Sequence, residues 1–171
     1  MRRNTFILAV LFALGSIATT TAQTLQQRES IDDINTMLER NRWGEARMAL
    51  ERFSSELDPI VDYNDVVWAE YYKVRCAMEL GDADVVSAME NYLKRYPASP
   101  YRNDMQFMLA CYVSDEGDYK QAAELFKKVN YKGLNASDKE RYDMRVGYIE
   151  FLDGNYRNAK MHLVKVSKLS D

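Results

Sequence analysis

One phrase is written twice in this chain. Glu116–Phe126 reads EGDYKQAAELF and Asp153–Leu163 reads DGNYRNAKMHL, with Gly, Tyr and Ala in register 37 residues apart. Two weaker copies precede them, Gly81-Asp82 and Asn41-Arg42-Trp43-Gly44-Glu45-Ala46, so the turn residues Asn41, Gly81, Gly117 and Gly154 follow one another at 40, 36 and 37 residues. A period in this range marks stacked supersecondary units rather than one irregular core. With only 3 prolines and 7 glycines in 171 residues, long helices have room to form between the turns. Apolar residues recur at steps of three and four, as in Val67, Tyr71, Val74 and Met78. The expected fold is all-α, in hairpins of two helices joined by short turns.

Each position of the phrase has a physical job. The turn residue needs a positive φ where one helix stops, which glycine adopts freely and asparagine tolerates. The aromatic two places on (Trp43, Tyr119, Tyr156) covers the corner between two helices. The following alanine (Ala46, Ala122, Ala159) is small because the second helix crosses the first closely there. Leu50, Phe126 and Leu163, then Phe53, Val129 and Val166, continue one apolar stripe. Upstream, Leu109-Ala110 and Val146-Gly147 supply a large-small pair whose small member is expected to oppose Ala122 or Ala159. The first unit lacks that pair, having Asp33-Ile34. The second has Ala83 for the aromatic and Val86 for the alanine, and its stripe fits better through Val85, Met89 and Leu93.

This pattern resembles the tetratricopeptide repeat (TPR) over essentially the whole chain after its first 29 residues. The resemblance implies an α-solenoid of about four antiparallel hairpins in a right-handed superhelix, with units at about 30–62, 64–98, 100–134 and 138–171 within a repeat domain of 30–171. The Tyr96-Pro97 to Pro100-Tyr101 junction and the stretch AEYYKVRCAMELGD (Ala69–Asp82) are similar to the front of exported TPR proteins of Gram-negative envelopes. Pro97 should end one helix, and Ser99-Pro100 suits the start of the next. In KGLNASDKERY (Lys132–Tyr142), Ser137 with Glu140 forms a capping box that starts a helix near Asp138. Asn135-Ala136-Ser137 is formally a glycosylation sequon, but in a bacterial exported protein it reads as that cap.

The N-terminus has the layout of a secretory signal peptide. Arg2 and Arg3 precede an apolar run, Phe6 to Ala18, and Thr20 and Ala22 sit where small residues precede a cleavage site. As a helix the run covers roughly 20 Å, short of a bilayer core of about 30 Å. The expectation is a signal peptide over 1–22, a linker over 23–29, and a periplasmic or outer-membrane-associated product without a membrane span. No cysteine follows the run, so no lipoprotein attachment is written there. Cleavage after Ala22 removes two arginines and takes the formal charge from −3 to −5. Without a basic block, nucleic acid is not an expected partner. Two cysteines, Cys76 and Cys111, are too few for a disulfide scaffold and read as small core residues.

Residues for catalysis are scarce. His162 is the sole histidine, and no glycines cluster into a phosphate loop. The acidic groups Asp32-Asp33, Asp82/Asp84 and Asp115/Glu116/Asp118 fall near helix ends, where acids cap helices. The expected protein is not an enzyme and needs no cofactor or metal. The TPR resemblance instead implies a groove lined by first helices, at Trp68, Tyr71, Arg75 and Met78, at Asp104, Phe107, Cys111 and Ser114, and at Arg141, Met144, Tyr148 and Phe151. These are interface-forming residue types, so the expected function is an envelope adaptor that holds a protein or peptide segment. The alternative is a saccharide-binding envelope protein using the repeats as scaffold, with Trp68 and Tyr71 stacking on sugar. The last helix carries Met161, Val164 and Leu169 beside its stripe, an apolar end to be covered by further repeats, a partner or a second copy.

Overall fold

The structure, a computed structural model, describes residues 30–167. The expected signal peptide, the linker and Leu169 lie outside those residues. The described residues are all helical. Helix α1 spans 30–39; α2 Trp43–Ser55, α3 Tyr63–Leu80, α4 Val85–Arg95, α5 Arg102–Asp115, α6 Tyr119–Phe126, α7 Ala136–Leu152 and α8 Tyr156–Ser167 follow, with one 3₁₀ turn at Tyr131–Gly133. The chain forms two compact units divided after Leu80. That division falls between the two helices grouped by sequence into 64–98.

The turn chemistry is as the repeat requires. Asn41, Gly81, Gly117 and Gly154 have φ of 55°, 74°, 88° and 78°. Around three of them the same pair of hydrogen bonds closes the helix end. Arg42, Asp118 and Asn155 donate back to the carbonyls of Met37, Val113 and Glu150 (2.9, 3.2 and 2.8 Å), and Asn41, Gly117 and Gly154 to those of Leu38, Ser114 and Phe151. This is the Schellman arrangement, which uses carbonyls that the helix itself leaves unpaired. Gly117→Ala is therefore expected to cost about 1 kcal/mol by forcing a Cβ into the left-handed region. Gly44→Ala, in a helix with open space around it, should be neutral or stabilising. Chemical denaturation of the two variants checks the contrast.

In the first unit, Ile34 and Leu38 of α1 meet Ala46, Leu50 and Phe53 of α2 and Ala69 and Cys76 of α3 in one core. Trp68 sets its ring edge-on to Phe53 at 5.8 Å. Arg75 lays its guanidinium 5.9 Å from the Trp43 ring, the corner aromatic of this hairpin. Asp58 organises the α2–α3 loop by accepting from the amides of Ile60 and Val61, and those bonds hold its carboxyl below the usual range.

In the second unit each helix from α4 to α8 packs on the next, and α5 also packs on α7. Helix α4 ends before Pro97, as expected. Its buried stripe is Val85, Met89 and Tyr92, continued by the C-cap residue Tyr96. The stripe expected through Leu93 turns instead to Tyr92, whose hydroxyl bonds the Ser99 hydroxyl at 2.7 Å. Ser99 is not the cap of α5; Tyr101 holds that place and donates its amide to Ser99 Oγ. A second junction bond pair joins Asn103 of α5 to the backbone N–H and C=O of Asn130 (2.7 and 3.1 Å).

Helix α7 starts two residues before the expected point. Its cap is Asn135, not Ser137: Asn135 Oδ1 accepts from the Asp138 amide at 2.9 Å, and Asn135 Nδ2 donates to the Asp138 carboxylate at 2.7 Å. The first bond satisfies a helix-end donor as a capping box does, while the second ties the two side chains together. Ala46, Ala122 and Ala159 are fully or almost fully buried, as a close helix crossing demands. At the α7/α8 crossing, however, a Cβ on Gly147 would meet Leu163 at 2.9 Å and His162 at 3.1 Å, one turn past Ala159. Gly147→Val is expected to lower stability by about 1–2 kcal/mol through overpacking, read as a lower thermal midpoint.

Candidate partner-binding surface

A trough of about 720 Å³ runs along the second unit. Met144, Tyr148 and Phe151 of α7 form its floor at spacings of four and three, which place them on one helix face. Leu163 of α8 closes one side, and Tyr119 at the start of α6 stands edge-on to Tyr148 at 5.6 Å. A second hollow of about 400 Å³, lined by Tyr156, Ala159, Lys160 and Val164, shares Phe151 and Leu163 with the first. The two make one continuous apolar face on the α7/α8 hairpin. Met144, Tyr148 and Phe151 are 49%, 48% and 52% exposed.

Three structural devices hold that face. Arg145 of α7 grips Asp115 at the end of α5 through both carboxylate oxygens, at 3.0–3.2 Å. Gly147 lets α8 approach closely. Asp143, next to Met144 on α7, is 2% exposed and accepts from three groups: Tyr131 Oη at 2.6 Å, His162 Nδ1 at 2.6 Å and Lys165 Nζ at 2.9 Å. His162 and Lys165 stand three apart on α8, one turn of helix, so both reach the same carboxylate. Burial alone would raise the Asp143 pKa, but these three bonds and the Lys165 charge hold it below the usual range. The same bond pushes the Tyr131 phenol up to about 12. Lys165 also lies 5.0 Å from the Tyr131 ring centroid.

The residues expected in the groove divide into two groups. Met144, Tyr148 and Phe151 come together in the trough, and Arg141 lies exposed beside them with its guanidinium 5.4 Å from the Phe107 ring. Phe107, Cys111 and Ser114 are instead buried, at 1%, 4% and 6% exposure, because α7 lies over α5. Phe107 and Cys111 are packing residues, whereas Ser114, near the end of α5, lines one side of the trough. Asp104 is partly buried. In the first unit Tyr71 is buried, Trp68 packs against Phe53 and Tyr72, and Arg75 and Met78 are partly buried. The stacking platform of the saccharide alternative, Trp68 with Tyr71, thus has one ring buried and the other engaged by aromatic neighbours.

Cys76 and Cys111 are buried free thiols, and burial pushes each up to about 11. A thiol with so raised a pKa is a poor nucleophile. Asp143 and the ring pairing of Tyr142 with Tyr131 and Phe126 were not singled out by sequence. The legible signal was an acid in the core phase of α7, four residues before the small Gly147. Among the described residues no group of three or more His, Cys, Asp or Glu side chains is placed to hold a metal ion. No helix among them is long and apolar enough to cross a membrane.

Comparison of the chain with protein-family models, with curated proteins and with solved structures finds no match.

Proposed function

We propose that this chain is a TPR-like array of helical hairpins that works as a non-catalytic adaptor, holding a segment of another polypeptide in the α7/α8 trough. The observation that carries this reading is the trough itself. Large apolar and aromatic side chains stand half exposed, side by side, on a hairpin whose two helices are tied by the Asp143 bonds to His162 and Lys165. Contiguous exposed apolar surface on a folded domain marks an interaction site, and aromatic and Met side chains are the types enriched at interface centres. Gly147, Asp143 and the Arg145–Asp115 pair give those side chains a rigid seat, which lowers the ordering cost of binding. Export to the cell envelope belongs to the same proposal and rests on residues 1–22 alone.

The double variant Tyr148→Ser/Phe151→Ser tests the reading. Both side chains are about half exposed, so the fold is expected to keep its thermal midpoint within a few degrees. A polypeptide that co-purifies with the wild type from native cells should be lost. Retention of that polypeptide by a folded double variant would contradict the reading.

A further inference from the structure

The trough has a counterpart one repeat earlier in the same chain. At the 37-residue period, Met144 stands where Phe107 does, Tyr148 where Cys111 does, Phe151 where Ser114 does, and Leu163 where Phe126 does. The later four are 49%, 48%, 52% and 36% exposed; their counterparts are 1%, 4%, 6% and 2%. What covers the counterparts is a helix. Helix α7 lies on α5 and α6, with Tyr142 edge-on to Phe126 at 5.2 Å and Arg141 over Phe107. The α7/α8 hairpin therefore presents, uncovered, the kind of surface that a helix occupies on α5/α6.

The charge pattern differs between the two surfaces. Asp115, the acid gripped by Arg145, becomes Leu152, which is 47% exposed, and Lys127 becomes Val164. A helix arriving here meets a longer apolar stripe, and Asp115, the acid that lines the trough, is already held by Arg145. On α8 it meets Lys160, which lines the second hollow, and Arg157 one turn before it. Among the described residues neither cation has an ion-pair partner, and α8 carries no acid within Tyr156–Ser167. A second copy would bring the same cations to the same face, whereas an acidic flank would neutralise them.

We propose that the trough receives an amphipathic α-helix of another polypeptide, with large apolar residues at helical three- and four-residue spacing and Asp or Glu on the flank facing Lys160 and Arg157. This rests on the segment-binding reading above and adds conformation and charge to it. Helix-in-groove recognition needs such a row of anchors on one face.

The test is selection from a displayed library of random peptides of about 16 residues, four to five helical turns. The target is the 171-residue chain, with Tyr148→Ser/Phe151→Ser as counter-target; circular dichroism and thermal midpoints confirm that every variant is folded. Enriched peptides are expected to show apolar residues at helical spacing with an acidic excess on one flank, and a proline at their centre should abolish binding. By fluorescence anisotropy, the double variant should lose at least about tenfold in affinity. Lys160→Glu should lose about threefold or more, an effect that fades with salt. Enrichment of extended, alternating or basic sequences that still depend on Tyr148 and Phe151 would overturn the helix proposal and leave segment binding standing. No enrichment over the counter-target would overturn both. A dimer in sedimentation velocity that Phe151→Glu dissociates would assign the face to a second copy and also overturn the proposal.

Discussion

Replacing Phe126 by alanine should lower the unfolding free energy by about 4 kcal/mol. The side chain is 2% exposed, sits 6.4 Å from the Phe107 ring and takes the edge of Tyr142 at 5.2 Å. Truncation removes apolar area from the α5/α6/α7 contact and leaves a cavity that three helices must share. For a chain of this size the thermal midpoint should fall by roughly 15 °C. Phe151→Ala, on the exposed trough, is the control and should cost less than about 1 kcal/mol. Urea unfolding of both reads the difference. Equal losses would mean that α7 does not cover Phe126 as described.

Asp143→Asn is the second large effect, expected at about 3 kcal/mol. The amide keeps the shape but loses the charge, and it turns a donor toward groups that are themselves donors. The pH dependence gives the sign. Because the folded Asp143 carboxyl is held below its ordinary value of 3.8, its contribution is complete above about pH 4 and is lost as pH falls through the lowered value. Tyr131 works in the other direction. Its phenol is raised from 10.0 to about 12, so its contribution is complete below pH 10 and is lost between pH 10 and 12. Wild type should therefore show a stability plateau with both edges, and Asp143→Asn should be lower across the plateau and flatter at each edge. Ultraviolet difference titration should also show one tyrosine of the variant ionising earlier than in wild type. An unchanged tyrosine titration would remove Asp143 from the role of acceptor.

What sequence could show and what it could not follows from how local each signal is. A positive φ is a demand on one residue, so Asn41, Gly81, Gly117 and Gly154 mark their turns without any tertiary knowledge. The small residues after them follow from the same period, and Ala46, Ala122 and Ala159 are buried accordingly. The cap of α7 was harder, because Asn135 and Ser137 can each start a helix. The Asp138 carboxylate, within reach of the Asn135 amide, tips the balance to the earlier one.

Half of the groove expectation could not be settled by pattern. Helix α5 is buried almost all round, including Gln106 and Ser114, so its sequence carries little contrast between a core face and an open face. Phe107 and Cys111 fit groove positions by pattern because nothing local says that α7 will lie over them. On α7, Met144, Tyr148 and Phe151 stay open for the opposite reason, that no described helix follows to cover them. The Asp143 cluster joins Tyr131, His162 and Lys165 across 34 residues, and only the folded chain brings those four together.

The most direct measurement places the photoreactive residue benzoylphenylalanine at position 151 in the trough and, separately, at position 48, an exposed site on α2. After irradiation of native cells, position 151 should give one discrete covalent adduct with another polypeptide, and position 48 should not. No adduct from position 151, or the same adducts from both positions, would contradict a binding surface on the α7/α8 hairpin.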